Sequence, residues 1–285
     1  MRKSSRRKYN WPVQQMTAPF RCLRIVVATA WAAGLSMAQS ETVIDVTGYR
    51  PLATAVEQAE AALGIPINYE DVRYEHQADL EDLSTAAQRA EVPGYRLLGP
   101  RKGRVSGVLR AGRSGPRGGK MLDVAGLLSS YRANKSPCDF AVEEANGMLY
   151  VVPTQYLARD GQARPMAPVM NTPVSVAFAE RTVWETVKAI TDSVAAATGA
   201  RVRVGTMPFF PDRKIGYGVS GASARDALAE LFGKISTTPV SYQLFFDPAA
   251  GYMLNAHAVP AAASEPAAMP RTEPSGSSDR FFIKK

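Results

Sequence analysis

One order of elements occurs twice along this chain, and that repetition limits the fold more than any other feature. In the first half "TVIDVTG" (42–48) alternates as a strand does, and Pro51 suits the first turn of a helix. Leu52, Ala55, Val56, Ala59, Ala62 and Leu63 then share one helical face. Gly64 supplies the stop, and "IPINY" is a short strand. The second half begins the same way. "VSVAF" (174–178) alternates. Val183, Val187, Ile190, Val194 and Ala197 keep helical spacing, Gly199 stops the helix, and "ARVRVG" is a strand.

The later elements also correspond. "KIGYGVSG" reads as a strand, and Ser223 with Asp226 forms a capping-box pattern. Ala224, Leu228, Leu231, Phe232 and Ile235 form one helix face, and "VSYQLFFD" and "YMLNAHAV" form a hairpin. In the first half the second helix carries Met121, Val124, Leu127, Leu128 and Tyr131. The closing hairpin is "CDFAVEEANGMLYVVP", with Asn146-Gly147 as a type I′ turn signal. The expected architecture is therefore α+β. It has two tandem βαββαββ modules, 41–154 and 173–260, because a pair of amphipathic helices buries its stripes against a small sheet. The first module carries an insertion at about 75–120, which includes a short helix "LEDLSTAAQRA" and a strand-like "YRLLG". A Pro-bearing stretch without helical or strand period, 155–172, is expected to be the linker.

The ends have a different character. Residues 1–38 combine a basic start with an uncharged run, Ile25 to Ala38, and small residues Ser36 and Ala38 before a cleavage point. That run is too short for the roughly 20 apolar residues of a bilayer span, so it reads as an export signal. Localisation is expected to be periplasmic, with secretion or an uncleaved anchor as alternatives. The net charge of +8 is carried by this segment. It holds seven of the 34 basic residues, which leaves 27 against 26 acids in the remainder. A near-neutral exported chain has no global electrostatic reason to bind nucleic acid. Residues 261–285 are rich in Ala, Pro and Ser and are expected to be a disordered tail. Cys138 is the one cysteine after the signal. It is expected to be a buried thiol rather than a nucleophile.

Three groups of residues qualify as candidate sites. Glu70, Asp71, Glu75 and His76 crowd one stretch beside Tyr69, Arg73 and Tyr74, the side-chain set of an acid/base or metal site. The calcium-loop spacing is absent, no second histidine follows at helical spacing, and "GARVRVGTMPFF" in the second half lacks the acids. A solvated or partner-facing loop, an addition that the fold does not need, is the expectation. Arg101, Lys102, Arg104, Arg110, Arg113, Arg117 and Lys120 sit among glycines without an acid. They form either an anion-binding loop or simple compensation for the acidic stretch. Phe209 and Phe210, flanked by prolines, are either a cap on the core or, with Trp184, an exposed anchor for a partner. His257 is expected on a solvent-facing strand surface. No nucleotide-binding glycine loop or nucleophile elbow occurs, and no cofactor is expected.

The order of strand, helix ending in "LGIPINY" or "ATGARVRV", strand, glycine-bearing turn, "SARDALAELF" helix and closing hairpin resembles the secretin and TonB short N-terminal domain. The likeness is closer in the second half than in the first. The phrases "INYEDVRY", "LYVVPTQ", "ERTVWETVKAI" and "SYQLFFDP" also resemble a group of uncharacterised exported bacterial proteins. The resemblance implies a non-catalytic docking role toward an envelope protein such as a secretin or receptor component, or toward another copy as a homo-oligomer. The rival expectations are an enzyme or metal protein using Glu70–His76 on a cell-wall or extracellular substrate, and an anion binder using 101–120.

Overall fold

The computed structural model describes residues 41–260, apart from 93, 95, 113, 114 and 135–137. The expected export signal and tail lie outside these residues. The first half contains β1 (Thr42–Gly48), α1 (Pro51–Leu63), β2 (Ile67–Glu70), β3 (Leu80–Asp82), α2 (Ala86–Glu91), β4 (Leu98–Pro100), β5 (Gly103–Leu109), α3 (Arg117–Ala133), β6 (Asp139–Ala145) and β7 (Met148–Leu157). After β8 (Ala163–Pro165), the second half contains β9 (Pro173–Thr182), α4 (Val183–Thr198), β10 (Val202–Val204), β11 (Lys214–Ser223), α5 (Ala224–Ile235), β12 (Val240–Asp247) and β13 (Gly251–Ala258). The chain is α+β.

Local chemistry sets many of these boundaries. Pro51 occupies the first turn of α1, and Gly64 ends that helix at φ 63°, a left-handed position that favours glycine. Thr182 and Glu185 form a reciprocal capping box on α4, and the Ser223 hydroxyl accepts from Asp226 N–H at the start of α5. Asn146 and Gly147 both have positive φ, 52° and 74°, as a type I′ turn between β6 and β7 requires.

Six of these strands form one continuous sheet in the order β10-β13-β12-β2-β7-β6, and β8 adds to the end of β7. The triplet β10-β13-β12 has the same order as β2-β7-β6 and the same relative strand directions within it. In each, a short strand runs parallel to the last strand of its half, which runs antiparallel to the penultimate one. The triplets meet where β12 runs parallel to β2, with Gln243 opposite Tyr69 and Leu244 opposite Glu70. Keeping the order while reversing the strand direction is a half-turn about an axis across the sheet, and a half-turn exchanges the faces.

The two cores show that exchange. Leu149 and Val151 of β7 pack with α1 and α3. Tyr150 and Val152 of the same strand pack with the core of α4 and α5. A strand covered on both sides reads as a continuous apolar run, as Leu149–Val152 does. Each helix pair also carries an antiparallel ribbon on its other side, β1–β5 over α1 and α3 and β9–β11 over α4 and α5.

Two expectations about organisation need correction. Residues 155–172 are not a free linker. β7 extends to Leu157, β8 pairs back on it, and Met170 is fully buried in the second core. The basic stretch 101–120 is not a loop within an insertion. Its first part is β5, which pairs with β1 as β11 pairs with β9, and its end begins α3. What remains as inserted chain is about 75–102. The short helix expected over 80–90 is confined to α2, and its expected first residues, Leu80–Asp82, form β3 paired with β4.

Candidate functional site: the joint and the cleft beside it

β2 delivers Glu70 and Asp71 to the joint between the two triplets. A solvated or partner-facing loop was the expectation for this stretch, and the structure corrects it. Glu70 is 1% exposed and Asp71 0%, and both bind the other half. Consecutive strand residues point to opposite faces, so the two carboxyls never share a site. Asp71 faces the first core. Its Oδ1 accepts from Tyr69 OH at 2.9 Å and Tyr74 OH at 2.5 Å. Its Oδ2 accepts from Arg50 Nε at 2.8 Å and Phe246 N–H at 3.2 Å. Arg50 in turn donates to Phe246 O, and Asp71 N–H donates to Leu244 O.

Glu70 faces the second core. It accepts from Tyr242 OH at 3.2 Å and Met170 N–H at 3.2 Å. Burial outweighs these bonds and raises its pKa to about 7. Asn68 completes the seam by accepting from Tyr242 N–H. These side chains replace ladder bonds that two short parallel strands cannot make alone, so the acids hold the halves together.

A second polar bridge lies nearby. His257 was expected on a solvent-facing strand surface. Instead its Nε2 lies 2.7 Å from Glu60 Oε1, while Glu60 Oε2 accepts from Ile67 N–H. The hydrogen bond to Glu60 raises the histidine pKa against the opposing effect of burial. Glu75 and His76 belong to neither bridge. Glu75 makes a long pair with Arg73 at 3.7 Å, and His76 caps the turn Gln77–Asp79 by accepting from Ala78 N–H. The four residues that looked like one site in sequence are thus distributed over three environments. Among the described residues no group of three or more His, Cys, Asp or Glu side chains is arranged to hold a metal ion.

A cavity of about 340 Å³ opens beside Asp71, on the first half. Its floor is Tyr69, Tyr74, Tyr131, Leu52 and Cys138. The inserted chain adds Ala78, Asp79 and Pro100–Lys102, and β5 adds Gly103 and Arg104. Asp79 is 8% exposed, and its Oδ2 has no hydrogen-bond partner. Burial raises its pKa, and His76 and Arg101 oppose that shift. Burial likewise pushes the Cys138 thiol up to about 12, which leaves it protonated and unreactive.

The basic residues divide between this mouth and the surface. Arg101, Lys102 and Arg104 line the cavity, with Lys102 Nζ 4.9 Å from the Tyr49 ring centroid and Arg104 paired twice with Asp45. Arg110 pairs with Glu41, Arg117 with Glu144, and Lys120 is buried on Leu63 O. Arg113 lies outside the described residues. Three of these cations, Arg104, Arg110 and Arg117, therefore find acids outside the acidic stretch.

The aromatic candidates divide as well. Phe209 packs edge-on against Phe232 of α5 at 5.8 Å and caps the second core. Phe210 is 55% exposed, in the left-handed region at φ 44°, and Trp184 is partly exposed at the start of α4. Arg50 is the functional residue that sequence reasoning missed. Its only local signal was a place immediately before a helix-starting proline.

Among the described residues no helix is long and apolar enough to cross a membrane. No family model, curated protein or solved structure matches the chain.

Proposed function

We propose that this chain is an exported, non-catalytic docking protein of the cell envelope, and that it takes an extended strand of another envelope protein onto the β6 edge. The observation that supports this reading is the joint itself. There, a penultimate strand of one half already accepts a parallel strand from the other through backbone and side-chain bonds. β6 is the equivalent strand of the first half, and among the described residues no strand pairs with its outer side. The Asn146-Gly147 turn makes Ala145 and Met148 the hydrogen-bonded pair that closes the hairpin. Alternation along the strand then points the backbone groups of Phe140, Val142 and Glu144 outward. Phe140 is occupied by its neighbours, since its N–H donates to Asp139 and its C=O accepts from Arg132. Val142 and Glu144 are left to pair with an incoming strand. The resemblance to the secretin and TonB short N-terminal domain agrees with a docking role.

The test is a photo-crosslinking amino acid at Glu144 in the full chain, expressed in its native envelope. We expect one envelope protein to be captured. The adduct should disappear when Val142→Pro removes the outward N–H, and a probe at half-buried Gln88 of α2 should not reproduce it. An adduct that survives Val142→Pro, or that forms equally from position 88, would contradict strand addition at β6.

A further inference from the structure

The operation that joins the two halves leaves the sheet with complementary ends. β12 of the second half pairs in parallel with β2 of the first. Their counterparts, β6 and β10, lie at opposite edges of the same sheet, and among the described residues no strand pairs with the outer side of either. One more half-turn of the kind that relates the triplets sets β10 of a second copy beside β6, again in parallel.

Both edges offer backbone groups in phase. Arg201 C=O and Gly205 N–H are bonded to β13, so alternation turns the N–H and C=O of Val202 and Val204 outward. On β6 the outward groups left are those of Val142 and Glu144. The register of the joint would call on Phe140 C=O and Thr206 N–H, which Arg132 and Asn255 already hold. With a shift of two residues, Val142 N–H meets Val202 C=O, Val204 N–H meets Val142 C=O, and Glu144 N–H meets Val204 C=O. No existing bond is lost. Charge favours the same pairing. β6 carries Asp139, Glu143 and Glu144 and no base, while β10 and the residue before it carry Arg203 and Arg201 and no acid. Asp139 and Glu143 are paired within the chain with Arg132 and Arg225. Glu144 has a long pair, 3.8 Å, with exposed Arg117. In the shifted register Arg203 lies opposite Val142, on the face that Glu144 shares.

We propose that copies of this chain associate head to tail, with β10 of one copy adding in parallel to β6 of the next and Arg203 meeting Glu144. Resting on the reading of β6 as a docking edge, this pairing gives way where an envelope partner's strand takes that edge. Three backbone bonds and one exposed ion pair make the contact weak and concentration-dependent. Because the two surfaces differ, the interface is heterologous, and every added copy leaves a free edge for the next.

Sedimentation velocity of the purified full chain, up to about 1 mM, tests this. We expect the average mass to rise with concentration. Val142→Pro blocks the β6 edge and Val204→Pro the β10 edge, so each variant alone should be monomeric. Mixed in equal amounts, they should form a one-to-one dimer and nothing larger, through the intact β6 of one and the intact β10 of the other. Glu144→Arg should weaken association about two- to fivefold, and adding Arg203→Glu should restore it. That exposed pair keeps the test open if a proline variant fails to fold by circular dichroism. A chain that stays monomeric, a proline variant that associates alone, a mixture of folded variants that stays monomeric, or a charge swap that restores nothing would overturn the proposal. Absent self-association beside a Glu144 photo-crosslink that still captures an envelope protein would remove the head-to-tail contact and leave docking at β6 standing.

Discussion

Asp71 collects four donors from three segments, and that fixes what its loss should do. Replacing it by Ala leaves the buried Tyr69 and Tyr74 hydroxyls and the half-buried Arg50 guanidinium without their acceptor. Breaking such a site is expected to destabilise the chain by about 3 kcal/mol in urea unfolding. Glu75→Ala removes only a long, solvent-screened pair with Arg73 and should stay within about 0.5 kcal/mol. Glu70 sets a pH dependence. Burial raises its pKa from 4.5 to about 7, so the folded state holds a proton that the unfolded chain releases. The stability this proton confers is fully present below about pH 4.5 and is lost as pH rises toward 7, a decline on the order of 3 kcal/mol. His257 adds a loss of the same sign at higher pH. Its folded pKa lies above 6.5, so its contribution is present below that value and fades as pH rises through the folded pKa. Urea titrations across pH 4 to 8 should therefore show falling stability. Glu70→Gln should flatten the lower part of the curve and His257→Gln the upper part. The sequence brought Glu70, Asp71, Glu75 and His76 together because they are close in the chain. Alternation along β2 separates the first two onto opposite faces, and no local signal identifies Tyr242 or Phe246 as their partners.

At the scale of elements, the strands differ in what a proline does to them. β12 is paired on both sides, with β13 and with β2, so Leu244→Pro, which removes an N–H from the middle of the sheet, should remove about 3 kcal/mol or more. Val142 sits on the outer side of β6, and Val142→Pro should lower stability by no more than about 1–2 kcal/mol while abolishing docking. Measured unfolding midpoints of the two variants decide this. Elements whose causes are local were legible in the sequence. Gly64 and Gly199 end α1 and α4, Ser223 caps α5, and Asn146-Gly147 turns the hairpin where its chemistry requires. Elements whose partners are distant were not. "GRVSGVL" carries glycines and a single charge and resembles a loop until β1 pairs with it. "LEDLST" follows helical spacing, but its first residues serve β3 because β4 offers a ladder there.

For the whole molecule, the sequence implied two modules and a linker, and α+β content was legible in the two periodicities. The shared sheet was not, because Gln243 and Tyr69 lie 174 positions apart and nothing in either segment names the other. Leu149–Val152 gave the one hint. Four apolar residues in succession belong to a strand covered on both faces, which a self-contained module with one helical layer does not need. Glu70 at the end of β2 and Asp71 after it join both halves into a single cooperative unit. With Trp11 and Trp31 replaced by Phe, Trp184 at the start of α4 is the sole tryptophan and reports the second half. Urea unfolding is then followed by Trp184 fluorescence and by far-ultraviolet circular dichroism, with and without Asp71→Ala in the first half. We predict coincident transitions and an equal downward shift of both midpoints. An unmoved Trp184 midpoint beside a shifted dichroism curve would contradict it.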